Sequence, residues 1–135
     1  MSAFVLDCSI AAAWCLEDEA SAATDALMDR ARDHGALAPM LWRWEIANAL
    51  VMARRRQRVA DAATQFALLS ALPIHIDDES PARAWDATVA LAASHRLSVY
   101  DAAYLEIAAR TGLELATLDQ ALRDAAATAG VRVIP

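Results

Sequence analysis

Ala3-Phe4-Val5-Leu6-Asp7-Cys8-Ser9 sets four apolar residues, an acid and a hydroxyl in a row. An apolar run this short, with no polar alternation, reads as a strand buried on both faces. Asp7 marks the end of that strand, and a short helix, Ile10–Leu16, follows from Ser9. The same pattern recurs at Ala36–Ala38 before Pro39, at Ile74–Ile76, at Leu113–Leu118 before Asp119, and at Val131–Ile134. Helical spacing fills the intervals. Ala20–Asp33 closes at Gly35, Leu41–Arg56 ends in arginines, and Asp61–Leu72 stops at Pro73. A further helix runs from Ser80, with Pro81 at its first helical position, to about His95. Val99–Arg110 ends at Gly112 and Gln120–Thr128 near Gly130. This order predicts an α/β fold: one parallel sheet of four or five short strands, joined by right-handed connections and covered on both faces by helices.

The composition narrows the classes. The 135 residues are 58% hydrophobic and 22% charged, which excludes a disordered tail and suits one domain spanning residues 1–135. The net charge is −6, and all 12 basic residues are Arg. A protein that grips nucleic acid through a basic surface is therefore not expected. An enzyme whose acids hold cations that meet phosphates remains compatible. Two cysteines, Cys8 and Cys15, and three scattered histidines are too few for a disulfide framework or a zinc site. They read as buried free thiols of a reducing cytoplasm. No uncharged run approaches the ~20 residues of a spanning helix, and no positive charge precedes the first apolar residues as in a secretory leader. No membrane association is expected.

In an open parallel sheet, ligands bind beyond the carboxyl ends of the strands, where the strand order reverses. Asp7 and Asp119 fall there, the latter just after Thr117. Glu45 lies inside Leu41–Arg56, on a face shared with Leu41, Asn48 and Met52. Asp101 lies in the first turn of its helix. Acids on inward faces are costly unless something positive meets them. No Lys or His stands ready, and a divalent cation resolves the conflict. Oxygen-only ligands select Mg2+ or Mn2+. Plainer roles stay open: Asp7 and Asp119 as N-caps, Asp101 in a capping turn with Ser98, and Glu45 paired with Arg43 or Arg56. Asp124, past Asp119, reads as solvated. Arg54, Arg55, Arg56 and Arg58 form the one dense basic cluster, either a solvated helix end or a contact for phosphate or an acidic partner. Trp14, Trp42, Trp44 and Trp85 read as core or interface anchors.

Four segments go further: Val5-Leu6-Asp7-Cys8-Ser9, Pro39–Leu50 with Glu45-x-x-Asn48, Ser98-Val99-Tyr100-Asp101-Ala102-Ala103-Tyr104-Leu105-Glu106, and Leu115-Ala116-Thr117-Leu118-Asp119. In order and over essentially the whole chain, they resemble the acidic motifs of the PIN domain family, and more narrowly the VapC-type ribonuclease toxins of bacterial VapBC toxin–antitoxin pairs. The resemblance implies that Asp7, Glu45, Asp101 and Asp119 are catalytic, metal-binding acids. Ser9, Thr117 and Asn48 would support the site, and Arg43, Arg54, Arg55 and Arg56 would contact RNA or a partner. It further implies Mg2+- or Mn2+-dependent hydrolysis of RNA to 5′-phosphate and 3′-hydroxyl products, a homodimer, and a small VapB-type antitoxin. The rivals are a PIN-like module without catalysis and a flavodoxin-like receiver. The receiver would need an acceptor Asp after its third strand and a Lys after its last, and the chain has no Lys.

Overall fold

The computed structural model describes residues 2–135. Strand β1 (Phe4–Leu6) is central, and all three of its side chains are wholly buried. Successive strand residues point to opposite faces, so both faces of the sheet are covered. Strands β2 (Ala36–Ala38), β3 (Ile74–Ile76), β4 (Leu115–Ala116) and β5 (Val133–Ile134) complete a wholly parallel sheet of order β3-β2-β1-β4-β5. Val5 is in register with Leu37 on one side and Leu115 on the other. The chain lays down β1, β2 and β3 in one direction, then crosses back to place β4 and β5. The strand order therefore reverses between β1 and β4, at the ends of which Asp7 and Thr117 emerge. The fold class is the one expected. Leu113–Leu118 and Val131–Ile134 shorten to two paired residues each, because β4 finds only the short β1 to pair with on one side and β5 on the other.

Helix α1 (Cys8–Cys15) starts two residues earlier than the periodicity indicates, since Asp7 itself caps it. A 3₁₀ turn (Glu17–Glu19) leads to α2 (Ala22–His34), which opens on a reciprocal Ser21–Thr24 capping box. Trp14 Nε1 donates to the Thr24 carbonyl at 2.7 Å, tying α1 to α2. Gly35 ends α2 at φ +81, where a Cβ would stand 3.2 Å from the Pro73 carbonyl oxygen. Only glycine suits that crossing.

Helix α3 (Leu41–Arg55) packs on α1, and its phase corrects the sequence reading. The inward stripe is Trp42, Ile46, Leu50 and Ala53. The Leu41–Glu45–Asn48–Met52 face lies one residue, about 100°, away. Glu45 thus stands half-buried on the flank, Asn48 is exposed, and Trp44 is 67% exposed. Helix α4 (Ala63–Ala71) is shorter than Asp61–Leu72 because the Asp61 carboxylate accepts from the Ala63 and Thr64 amides and so precedes it.

The helix expected from Ser80 to His95 is three pieces: α5 (Ser80–Arg83), a π-helical turn (Ala84–Thr88) and α6 (Val89–His95). Ser80 is inside it rather than its cap; the Asp77 carboxylate accepts from the Ser80 amide at 2.8 Å. Helix α7 (Val99–Thr111) packs on α5, the π turn, α6, β1 and β4. Its residues Ala102–Ala108 are all buried, so it is a core helix rather than an amphipathic cover. Helix α8 (Gln120–Thr128) follows β4 and packs on α7 and β5. Among the described residues no helix is long and apolar enough to cross a membrane.

Candidate active site

At the β1 end, Asp7 caps α1 and accepts three hydrogen bonds. They come from the Ser9 amide at 3.4 Å, the Ser9 hydroxyl at 2.6 Å and the buried Thr117 hydroxyl at 2.8 Å. Thr117 Oγ1 accepts from the Asp119 amide at 3.1 Å, and Ser9 Oγ from the Leu118 amide at 2.9 Å. These contacts lock the ends of β1 and β4 together. Asp119 is exposed and caps α8, accepting from the Leu122 amide at 2.9 Å. Asp101 sits in the first turn of α7, where Ser98 is the N-cap and accepts from the Asp101 amide at 3.0 Å. The capping expectations for Asp7 and Asp119 are thus met; Ser98 caps α7 through the Asp101 amide, without the return bond from the Ser98 amide to the Asp101 carboxylate that a capping box has, and all three acids keep carboxylate lone pairs free. Three helix N-termini point their dipoles at three acids, a partial compensation for gathered negative charge.

Glu45 has no such helix end. It lies in the second turn of α3, and its hydrogen-bond partner is the hydroxyl of Tyr104, which is wholly buried on α7. Burial pushes the Glu45 carboxyl up; the Tyr104 hydroxyl opposes this, and the charges of Asp7 and Asp101 add to it. Asp101 is likewise raised by burial, then by Asp119 and Asp7, with Ser98 opposing. The charges of four acids from four elements therefore reach one another at this edge of the sheet: Asp7 and Asp101 act on Glu45, and Asp119 and Asp7 on Asp101. None of them is in an ion pair among the described residues, so the expected alternative of Glu45 paired with Arg43 or Arg56 is not found.

The donor set suits a hard cation. Cys8 opens α1, partly buried against the hydrophobic core and within reach of the charges of Glu45 and Asp7. Burial and those two charges push its thiol up to about 12, so it stays protonated. That leaves oxygen donors. Among the described residues, no three His, Cys, Asp or Glu side chains are drawn together tightly enough to enclose an ion by themselves. Carboxylates spaced this openly are compatible with a divalent ion such as Mg2+, which is ordinarily held by one or two carboxylates, waters and substrate phosphates rather than by a protein cage.

Other expectations fall differently. Asp124 is exposed and accepts from Gln120 Nε2 at 2.8 Å, as a solvated acid should. Arg43, Arg54, Arg55 and Arg56 are exposed, but Arg58 leaves their cluster to bind Asp18 and Glu19 across the surface. Trp14 and Trp42 are core residues, whereas Trp44 and Trp85 are exposed, Trp85 at 96%. Asp77 does follow β3, as a receiver would require. There it is bound by Arg110 and Ser80 on an edge strand, away from the β1–β4 reversal. The residues that sequence reasoning missed are Tyr104, quoted above only as part of a motif, and the Asp77–Glu106–Arg110 cluster. An acid four residues before an arginine, Glu106 and Arg110, was the available signal for the latter.

The model of the PIN domain family matches residues 4–128, nearly the full chain. This chain belongs to the PIN domain family. PIN domains are typically nucleases that use divalent metal ions, so the family points to phosphodiester hydrolysis in general. A crystal structure of PAE2754 from Pyrobaculum aerophilum superposes with a TM-score of 0.67 at 24% identity, covering 92% of this chain and 84% of that one. That likeness shows a shared fold over nearly the whole molecule. No curated protein matches this chain.

Proposed function

We propose that this PIN domain is a Mg2+- or Mn2+-dependent endoribonuclease and the toxin of a type II, VapBC-like toxin–antitoxin pair. The observation that carries the reading is that Asp7 and Asp119 emerge where the strand order reverses, Asp101 and Glu45 stand within reach of their charge, and no guanidinium is in an ion pair to any of the four among the described residues. Asp7, Asp101, Asp119 and Glu45 would hold the metal, which when bound supplies Lewis-acid activation of a phosphate oxygen and of the attacking water. Ser9 and Thr117 orient Asp7 through their hydroxyls, so that one carboxylate edge stays free. Asn48, exposed one turn beyond Glu45, offers an amide to the substrate. No side-chain nucleophile is required, which suits the protonated Cys8 thiol.

With a net charge of −6, RNA contact rests on local arginines, and Arg43, Arg54, Arg55 and Arg56 have no acidic partner among the described residues. The exposure of Trp44 and Trp85 supports protein partners: a second copy of this chain and a VapB-type antitoxin that blocks the cleft. Free Cys8 and Cys15 suit a cytoplasmic setting. The test is cleavage of a labelled RNA by the parent, Asp7→Asn and Asp101→Asn chains, with Mg2+, Mn2+ or chelator. Cleavage lost in both variants and on chelation is the expected result. Undiminished cleavage under chelation removes the metal from the mechanism.

A further inference from the structure

Glu45 differs from the other three acids in how it is held. Asp7 and Asp119 each receive a backbone amide, and Asp101 stands in the first turn of a helix. Glu45 is in the second turn of α3, half-buried, on a side chain with three rotatable bonds. Its hydrogen-bond partner among the described residues is the Tyr104 hydroxyl. Tyr104 is wholly buried and belongs to the central hydrophobic core. The ring is therefore fixed by packing, and its hydroxyl is a rigid donor to Glu45. Tyr104 also stands one helical turn beyond Asp101, on the same side of α7. One helix thus carries an acid of the cleft and the donor that fixes another acid from a different helix.

We propose that Tyr104 is a positioning residue, whose hydroxyl holds Glu45 at a set distance from Asp101 so that both carboxylates meet the same divalent ion. This rests on the metal-dependent reading above. The bond occupies part of one carboxylate oxygen, Oε1, and leaves Oε2 free to face the cleft. It also removes rotamer freedom that Glu45 would otherwise lose on binding. Partners that orient metal ligands in this way are typically worth about 10–100-fold in metal affinity.

The experiment is a Mn2+ titration without RNA, followed by electron paramagnetic resonance, on the parent, Tyr104→Phe, Glu45→Gln and the double variant. Tyr104→Phe keeps the ring and its packing. It is expected to weaken Mn2+ binding about tenfold or more, with an unchanged circular dichroism spectrum, and to add no loss on top of Glu45→Gln. A second measurement does not depend on the variant folding. In protein labelled with 3-fluorotyrosine, assigned with Tyr100→Phe, the Tyr104 fluorine resonance should shift on Mg2+ addition, and Glu45→Gln should abolish that shift. Parent-like Mn2+ affinity in Tyr104→Phe, an equal loss with and without Glu45, or an unmoved Tyr104 resonance overturns the positioning role while leaving the metal site standing. A parent chain that binds no Mn2+ overturns both.

Discussion

Near one end of α7, Glu106 and Asp77 lie within hydrogen-bonding distance of the Arg110 guanidinium; near the other, Asp101 stands among the charges of Asp7, Asp119 and Glu45. Both regions bring carboxylates out of water, and they resolve the cost differently. Arg110 donates to both Asp77 oxygens, at 2.7 and 3.2 Å, and its Nε stands 3.0 Å from each Glu106 oxygen. Burial pushes the Asp77 carboxyl up, but Arg110 and Ser80 outweigh it and hold the group below the usual carboxylate range. In the cleft, burial and like charge act together and raise Glu45 and Asp101. The chain can neutralise buried acids with arginine, and does so on the same helix. Where it supplies only hydroxyls, amides and helix ends, the missing charge is left for a cation from outside.

Four substitutions or conditions should separate the two regions. The largest effect is expected for Asp101→Asn, which should lower RNA cleavage about a thousandfold or more, as removal of several kcal/mol of metal-borne stabilisation implies. The melting temperature without metal should not fall, because the change relieves repulsion. An Asp101→Asn chain that cleaves normally would dissolve the contrast. Arg110→Met should do the reverse. Stranding Asp77 and Glu106 without their cation costs about 3–5 kcal/mol, read as a fall of about 10 °C or more in a thermal melt. Cleavage per folded molecule should persist below the transition. Thr117→Val removes the hydroxyl between Asp7 and Asp119 and is expected to reduce cleavage of the same RNA about tenfold, with a fall of a few degrees in melting because buried partners are left unsatisfied.

The smallest effect is the pH profile of the metal-free chain. Glu45 and Asp101 carry raised folded-state values, so the folded chain keeps their protons where the unfolded chain has released them. Their contribution favours the folded state on the acid side and is lost as pH rises upward from about 4. Asp77 has a lowered value, so its contribution is present above the ordinary Asp range and is lost as pH falls through the depressed value. Melts across pH should therefore show Glu45→Gln flattening the decline toward neutrality and Asp77→Asn flattening the loss in acid. Identical slopes in both variants would show that the two clusters do not titrate oppositely.

Much of this contrast was legible in the chain itself. Fully apolar runs such as Phe4–Leu6 can only be strands covered on both faces, and an acid directly after such a run must emerge at the carboxyl edge. Asp7 and Asp119 were found by that logic, and Asp101 by its apolar company in the first turn of its helix. Glu45 was placed on the wrong side of its stripe, because Trp42 and Ile46 set the phase of α3 only once they are packed against α1 and the sheet. Asn48 left the inward face for the same reason. Tyr104 could not be paired with Glu45 from spacing, since 59 residues separate them and only the packing of α7 brings the hydroxyl to the acid. The π turn at Ala84–Thr88 has no marker in its sequence: an inserted residue alters the helical phase without changing the composition.

The most direct test of the central claim is a crystal grown with Mn2+ and its anomalous difference map. A peak bounded by the carboxylates of Asp7, Asp101 and Asp119, with Glu45 turned toward it, is the predicted result. No peak in that cleft at saturating Mn2+, or a peak at the Asp77–Glu106 cluster instead, would contradict the account.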